Sequence, residues 1–221
     1  MPNLPISQLP LASSGYPDSW MVIVNYDVVP SGVTYKIPYT AVTYEPPLPY
    51  QPTYGIFTQT GNSVSVSATT VETTILDGGV GTLNVGANQF SVGDSFRAIL
   101  GGTLSVGNNQ TLRLKVKSGS VILADSGLQS ITNITNDIFH YTIDFTIRNI
   151  GTTGVADIVT IGNFKYTKTS NGSVEGFAFN TINNTTFDTT ISNTLDITAQ
   201  WGSTDSTNSI ITDIFTLTKI Y

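Results

Sequence analysis

Cysteine is absent from all 221 residues, which removes disulfides, thiolate metal sites and cysteine nucleophiles at once and leaves the redox compartment undetermined. Histidine occurs once, and charged residues make up only 11% of the chain, where a soluble domain usually carries roughly 25%. The nine Lys and Arg are scattered and the net charge is −6. No basic cluster can displace counterions from a phosphate backbone, so nucleic acid is not an expected partner. No run approaches the ~20 apolar residues of a membrane helix, so a membrane is not expected either. Residues 1–14 lack a basic region and a long apolar run. A secretion signal is therefore not expected, and synthesis is placed in a cytoplasm.

Thr, Ser, Asn and Gly take the place of the missing charge, and 39% of the residues are hydrophobic. A chain with that much apolar surface and little charge folds rather than remaining disordered. At its start Pro2, Pro5 and Pro10 interleave with Leu4, Ile6, Leu9 and Leu11. Proline fixes an extended backbone and leaves the apolar side chains free to dock, which predicts an arm, with a disordered tag as the alternative. Two strands are expected over 19–27, with Trp20 to Val24 at its centre, and over 33–39. The turn Val29-Pro30-Ser31-Gly32 between them predicts a β-hairpin. A hairpin of that size needs a further surface to pack on. The proline-rich stretch from Tyr44 to Tyr54 predicts a stiff spacer, the alternative being a loop wrapped on the following domain with its tyrosines packed. The expected domains are an arm and hairpin over 1–43, a linker over 44–60 and a head over 61–221.

Beyond residue 60, β-branched residues dominate and turn residues recur at short intervals, which predicts about eight to ten strands and no helix of useful length. Tyr141, Ile143, Phe145 and Ile147 alternate with His140, Thr142, Asp144, Thr146 and Arg148. This is the period of a half-buried strand. Leu112, Leu114 and Val116 repeat the pattern, as do Leu195, Ile197, Ala199 and Trp201. Other segments are apolar on both faces, namely Val121 to Ala124, Val155 to Ile161, and Ile214 to Tyr221. These need a second burial surface, such as another subunit. No fixed repeat is present, so the expected fold is an all-β, jelly-roll-like antiparallel β-sandwich rather than a solenoid.

Catalytic chemistry finds little support. His140 falls on the polar face of its strand with no companion motif for a Ser-His-Asp or Cys-His arrangement. Asp157, Asp188, Asp196, Asp205 and Asp213 are isolated and form no calcium loop. The glycines of 77–81 and 100–103 precede neither a lysine nor a helix, so they are expected in turns or at strand edges rather than around phosphate. The Asn-x-Thr/Ser sequences at Asn109, Asn133, Asn171, Asn183 and Asn184 arise by chance in so Asn- and Thr-rich a chain. Phe177, Phe179, Phe187 and Trp201 lie near polar segments and are expected in the core, with stacking on a sugar as the alternative. No catalytic residue, metal or cofactor is expected, and the chain is not expected to be an enzyme.

Several phrases of the head carry a resemblance. Gly81-Thr82-Leu83, Val92-Gly93-Asp94-Ser95-Phe96 and residues 112–119 are followed by Glu175-Gly176-Phe177, residues 186–191, residues 195–202 and Ile214-Phe215-Thr216-Leu217. Together they resemble a C-terminal head domain of phage and other viral structural proteins of fibre, spike and capsid-decoration type. Residues 3–10, with the apolar strand after them and Val33 to Ile37, are similar to virion-attachment segments at the N-terminus of phage fibre proteins. The resemblance implies a homotrimeric head on the virion surface, alongside other capsid or tail proteins. It also implies an anchor in which Leu4, Ile6, Leu9, Trp20 and Val22 dock. Capsid decoration or a head fibre is favoured because the chain lacks a long shaft. The alternative is a tail fibre or spike receptor-binding protein that recognises host-surface glycan.

Overall fold

Successive side chains of a strand point to opposite faces, so the alternating segments beyond residue 60 can each bury one face by pairing side by side. A computed structural model describes residues 54–168 and 172–221, together with the backbone of two strands nearer the N-terminus. The chain divides into two units, Met1–Tyr50 and Gln51–Tyr221. In the first, β1 (Trp20–Val24) and β2 (Thr34–Pro38) pair antiparallel, from Trp20 opposite Pro38 to Val24 opposite Thr34. This is the expected hairpin, with shorter strands. Leu4, Ile6, Leu9 and the turn at Pro30 lie outside the described residues, and Trp20 and Val22 are placed by backbone alone.

The second unit contains β3 (Tyr54–Gln59), β4 (Val66–Ser67), β5 (Thr73–Thr74), β6 (Gly79–Gly81), β7 (Asn84–Val85), β8 (Ser95–Val106) and β9 (Thr111–Ser118). It continues with β10 (Val121–Asp125), β11 (Gln129–Ser130), β12 (Ile134–Asn149), β13 (Asp157–Thr167), β14 (Val174–Asn184), β15 (Asn193–Trp201) and β16 (Ser209–Lys219). One sheet runs β14-β13-β12-β8-β16-β3-β6, with β4 on β16. The other runs β10-β9-β15-β5, with β11 on β9 and β7 on β15. The two pack as an antiparallel β-sandwich. The chain changes sheet at every step from β4 to β9, and again between β11 and β12, between β14 and β15, and between β15 and β16.

The core forms where the two inner faces meet. Phe139, Tyr141, Ile143, Phe145 and Ile147 of β12 and Leu100 and Leu104 of β8 share one buried cluster with Leu112, Leu114 and Val116 of β9 and Ile197, Ala199 and Trp201 of β15. The alternation in the sequence is thus the alternation of burial. Trp201 also ties the sheets by hydrogen bonding, since its indole N–H donates to the Val66 carbonyl at 2.8 Å. A buried indole keeps a partner in this way.

Two expectations shift. Residues 54–59 were expected in the linker, but β3 pairs along β16, with Leu217 opposite Phe57, and the Phe57 ring packs 5.6 Å from Phe215. Its sequence shows no apolar alternation, because Ile56 and Phe57 are adjacent and the next inward position is the polar Gln59. Gly101 and Gly102 were expected at a turn or edge, but they sit inside β8, between β12 and β16. A Cβ on Gly102 would come 2.0 Å from the Ile211 carbonyl oxygen, next to the register shift between Thr212 and Ile214. The missing side chain makes room for the bulge.

The core carries buried hydroxyls without partners, at Thr160 and Thr212 and, within the aromatic cluster, at Tyr141. Tyr141 is fully buried, and its hydroxyl has no hydrogen-bond partner. Burial also pushes its pKa well above the ordinary tyrosine value. An unsatisfied buried hydroxyl destabilises a fold by about 1–3 kcal/mol. Tyr141→Phe should therefore raise the unfolding free energy by about 1 kcal/mol in urea denaturation; a loss of stability would show that the hydroxyl is bonded. A chain starting at residue 51 should unfold as cooperatively as the full protein, whereas one starting at residue 61 loses β3, uncovers Phe215 and should be markedly less stable. Equal urea midpoints for the two would contradict this role of β3.

Candidate functional site

Titratable groups are the first place to seek chemistry. His140 stands on the solvent side of β12, opposite Lys165 of β13 and Gly101 of β8. Among the described residues it makes no hydrogen bond to a nucleophile or an orienting carboxylate, which a catalytic triad requires. Asp188 accepts the backbone N–H of Thr190 at 2.8 Å and its hydroxyl at 2.6 Å. Asp205 does the same with Thr207 at 2.9 and 2.6 Å. These bonds hold both carboxyls below the usual carboxylate range and fix two turns. Asp196 accepts the Thr74 hydroxyl at 2.7 Å and so links β15 to β5. Among the described residues no group of three or more acidic or histidine side chains is placed to hold a metal ion.

The aromatic residues weighed for sugar stacking face inward. Phe187 and Trp201 are buried. Phe177 and Phe179 are half-buried on the inner side of β14 and extend a ladder of rings: Phe177 lies 5.2 Å from Phe164, and Phe179 lies 6.1 Å from Tyr141. Phe179 also covers Gly162, where a Cβ would meet its ring at 2.7 Å. None of the four forms an open platform. Between the sheets, Phe90, Phe96, Phe145, Phe187 and Leu217 line a small apolar cavity of about 40 Å³. Its polar neighbours are already satisfied: the Ser118 hydroxyl donates to Asn193 Oδ1 at 2.7 Å, and the Asn193 amide donates to the carbonyls of Asp188 and Ile191. This space is a packing gap with nothing to orient a polar ligand.

What the head does display is apolar side chains on the second face of its strands. In the segments expected to be two-faced, Leu123, Ala124, Ile158, Phe215 and Leu217 point into the core, while Ile122, Val155, Ile161, Ile214 and Tyr221 are exposed. On the outer side of the eight-stranded sheet, Ile161 and Ile214 are joined by Ile138, Val174 and Ile182, each about half exposed or more. Thr103 stands opposite Ile138 and Asn180 opposite Ile161, with Asp144, His140 and Lys165 on the same face. Arg97 and Asp144, paired across β8 and β12 at 2.7 Å, neutralise one another there. The contribution of β14 was not recognised in the sequence. Its signal is the alternation of Phe177 and Phe179 with Gly176, Ala178 and Asn180, which turns the small residues outward. No family model, curated protein or solved structure matches the chain.

The six-stranded sheet bears an ionic clamp on its outer face. Glu72 receives Lys115 Nζ at 2.5 Å and Lys117 Nζ at 2.8 Å, both from β9, and the Thr198 hydroxyl from β15 at 3.1 Å. Lys115 is nearly buried, so losing its counter-charge would strand an ammonium group. The two lysines hold the Glu72 carboxyl down at about 2, from an ordinary 4.5. Because the folded value is the lower one, the clamp stabilises the head fully above pH 4.5 and the effect disappears as the pH falls toward 2. Glu72→Gln should lower stability at neutral pH and flatten part of the acid dependence between these limits. Parallel stability–pH curves for the two proteins would show that Glu72 is not bound in this way.

Proposed function

We propose that this chain is a structural protein of a virus particle, displayed on the particle surface as a capsid decoration or head fibre. The observation that carries this reading is a charge-poor β-sandwich whose strands expose apolar residues on the face that their own chain leaves uncovered. Surfaces of that kind are suited to burial against other protein subunits. An enzyme would be expected to converge polar groups in a cleft.

The strand order supports the same reading. With β13 and β14 set aside, β3-β16-β8-β12 faces β5-β15-β9-β10. Consecutive segments exchange sheets in the nested manner of a jelly roll, so we read the head as jelly-roll-like, with the β13-β14 hairpin added at one edge. The resemblance to phage fibre, spike and decoration heads adds the homotrimer and the neighbouring capsid or tail proteins as partners. Residues 1–43 are assigned to attachment, through Leu4, Ile6, Leu9, Trp20 and Val22. The glycan-recognition alternative loses the aromatic residues that motivated it, since they are directed inward.

Deleting residues 1–43 leaves every strand of the sandwich in place. The shortened protein should fold with an unchanged urea midpoint and fail to co-sediment with particles that lack the native chain. Retained binding to particles would overturn the anchoring role.

A further inference from the structure

The two sheets end in four strands, beside which the two-residue β4, β7 and β11 also pair on one side only, and all but one of these are poor templates for another strand. β5 has two residues and β6 has three. β10 has five and loses register between Ile122 and Ala124. Short and bulged edges are the usual protection against unwanted pairing. The fourth, β14, has eleven residues. One side pairs with β13 from Thr167 opposite Val174 to Thr160 opposite Thr181 without interruption; the register shifts only beyond Thr181, next to Asn183 at φ +56°, and no strand among the described residues pairs with the other side. It contains no proline, and its one charge, Glu175, is held by Lys168 of the same chain. A long, weakly charged edge invites strand addition.

The sequence of β14 indicates which strand fits. Around Ala178, the residues from Val174 to Ile182 form a near-mirror in which the aromatic and the β-branched positions match in both directions. Phe177 and Phe179 flank the centre. Gly176 mirrors Asn180, Glu175 mirrors Thr181, and Val174 mirrors Ile182. A two-fold axis places two copies of one strand antiparallel, with each residue opposite its mirror position. Aromatic then meets aromatic on the inner face, where Phe177 and Phe179 are only half-buried in the single chain. Carboxylate meets hydroxyl, and the exposed Val174 meets the exposed Ile182 on the outer face. Cross-strand pairs of these kinds are the favourable ones. No like charges face each other.

We propose that β14 is a self-association edge: two copies of this chain join β14 to β14 across a two-fold axis at Ala178, making one continuous sheet through both heads. The contact closes on itself, so it produces pairs rather than fibres. It does not rest on the viral reading. In a trimeric head it would link one trimer to the next.

The chain has no cysteine, so a single introduced thiol gives an unambiguous cross-link. Opposed residues of an antiparallel pair have Cα atoms about 4.5–5.5 Å apart, within reach of a disulfide. Ala178→Cys in the full-length protein should form a covalent dimer under mild oxidation. Val174→Cys and Ile182→Cys should each stay uncross-linked alone and cross-link when mixed. Ala178→Asp and Ala178→Lys place like charges across the axis on a side chain that is exposed in the single chain, so each should halve the mass measured by light scattering. Mixing the two should restore it. A native mass that is not an even multiple of 23.6 kDa, or a mass unmoved by either charge, overturns the proposal. A trimer insensitive to Ala178→Asp would do so while leaving the virion reading standing, and loss of particle binding with an intact dimer would do the reverse.

Discussion

The head is held by one constraint: each long strand surrenders alternate side chains to a core shared by two sheets. β12 and β8 pair over most of their length at the centre of the larger sheet, and both direct their large apolar residues at β9 and β15 opposite. Consecutive segments cross from sheet to sheet, so neither half of the sequence can complete this core alone. The contacts are long-range, so long loops must close before they form and folding is expected to be slow. Local devices then adapt the lattice: Gly102 accommodates the bulge in β16, and Trp201 carries a hydrogen bond between the sheets.

The polar groups follow from the same geometry. With one face of each strand committed to the core, Thr, Asn and Asp are left to the outer faces and turns, where their side chains bond to nearby backbone or to the next strand. Asp188 and Asp205 close turns, Asp196 joins two strands, and Glu72 fastens the segment before β5 to two lysines of β9. Asp188, Asp196 and Asp205 are thus engaged in holding turns and strands. Much of the exposed surface left over is apolar, on the outer faces and along β14. This distribution shifts attention from chemistry within the chain to contact between chains.

A long open edge and exposed isoleucines are liabilities for a protein that works alone, because both favour association. They become useful in an assembly, where a partner supplies the missing hydrogen bonds and the missing cover. The near-mirror sequence around Ala178 makes the same chain a suitable partner. A particle-surface protein and a self-pairing edge are separate proposals, and each would account for part of the exposed apolar surface.

Composition and period by themselves determined the fold class, the hairpin ahead of the head and the inward residues of β9, β12 and β15, because side-chain alternation is local and a strand with one apolar face must bury it. They also marked the segments with a second apolar face. Tertiary structure decided which strands are neighbours, and therefore that β3 belongs to the head, that Gly101 and Gly102 lie in a central strand, and that Phe177 and Phe179 point inward. It decided as well that β14 is an edge. Strand pairing joins residues far apart in sequence, and nothing in the pattern of a single strand records whether one side or both will find a partner.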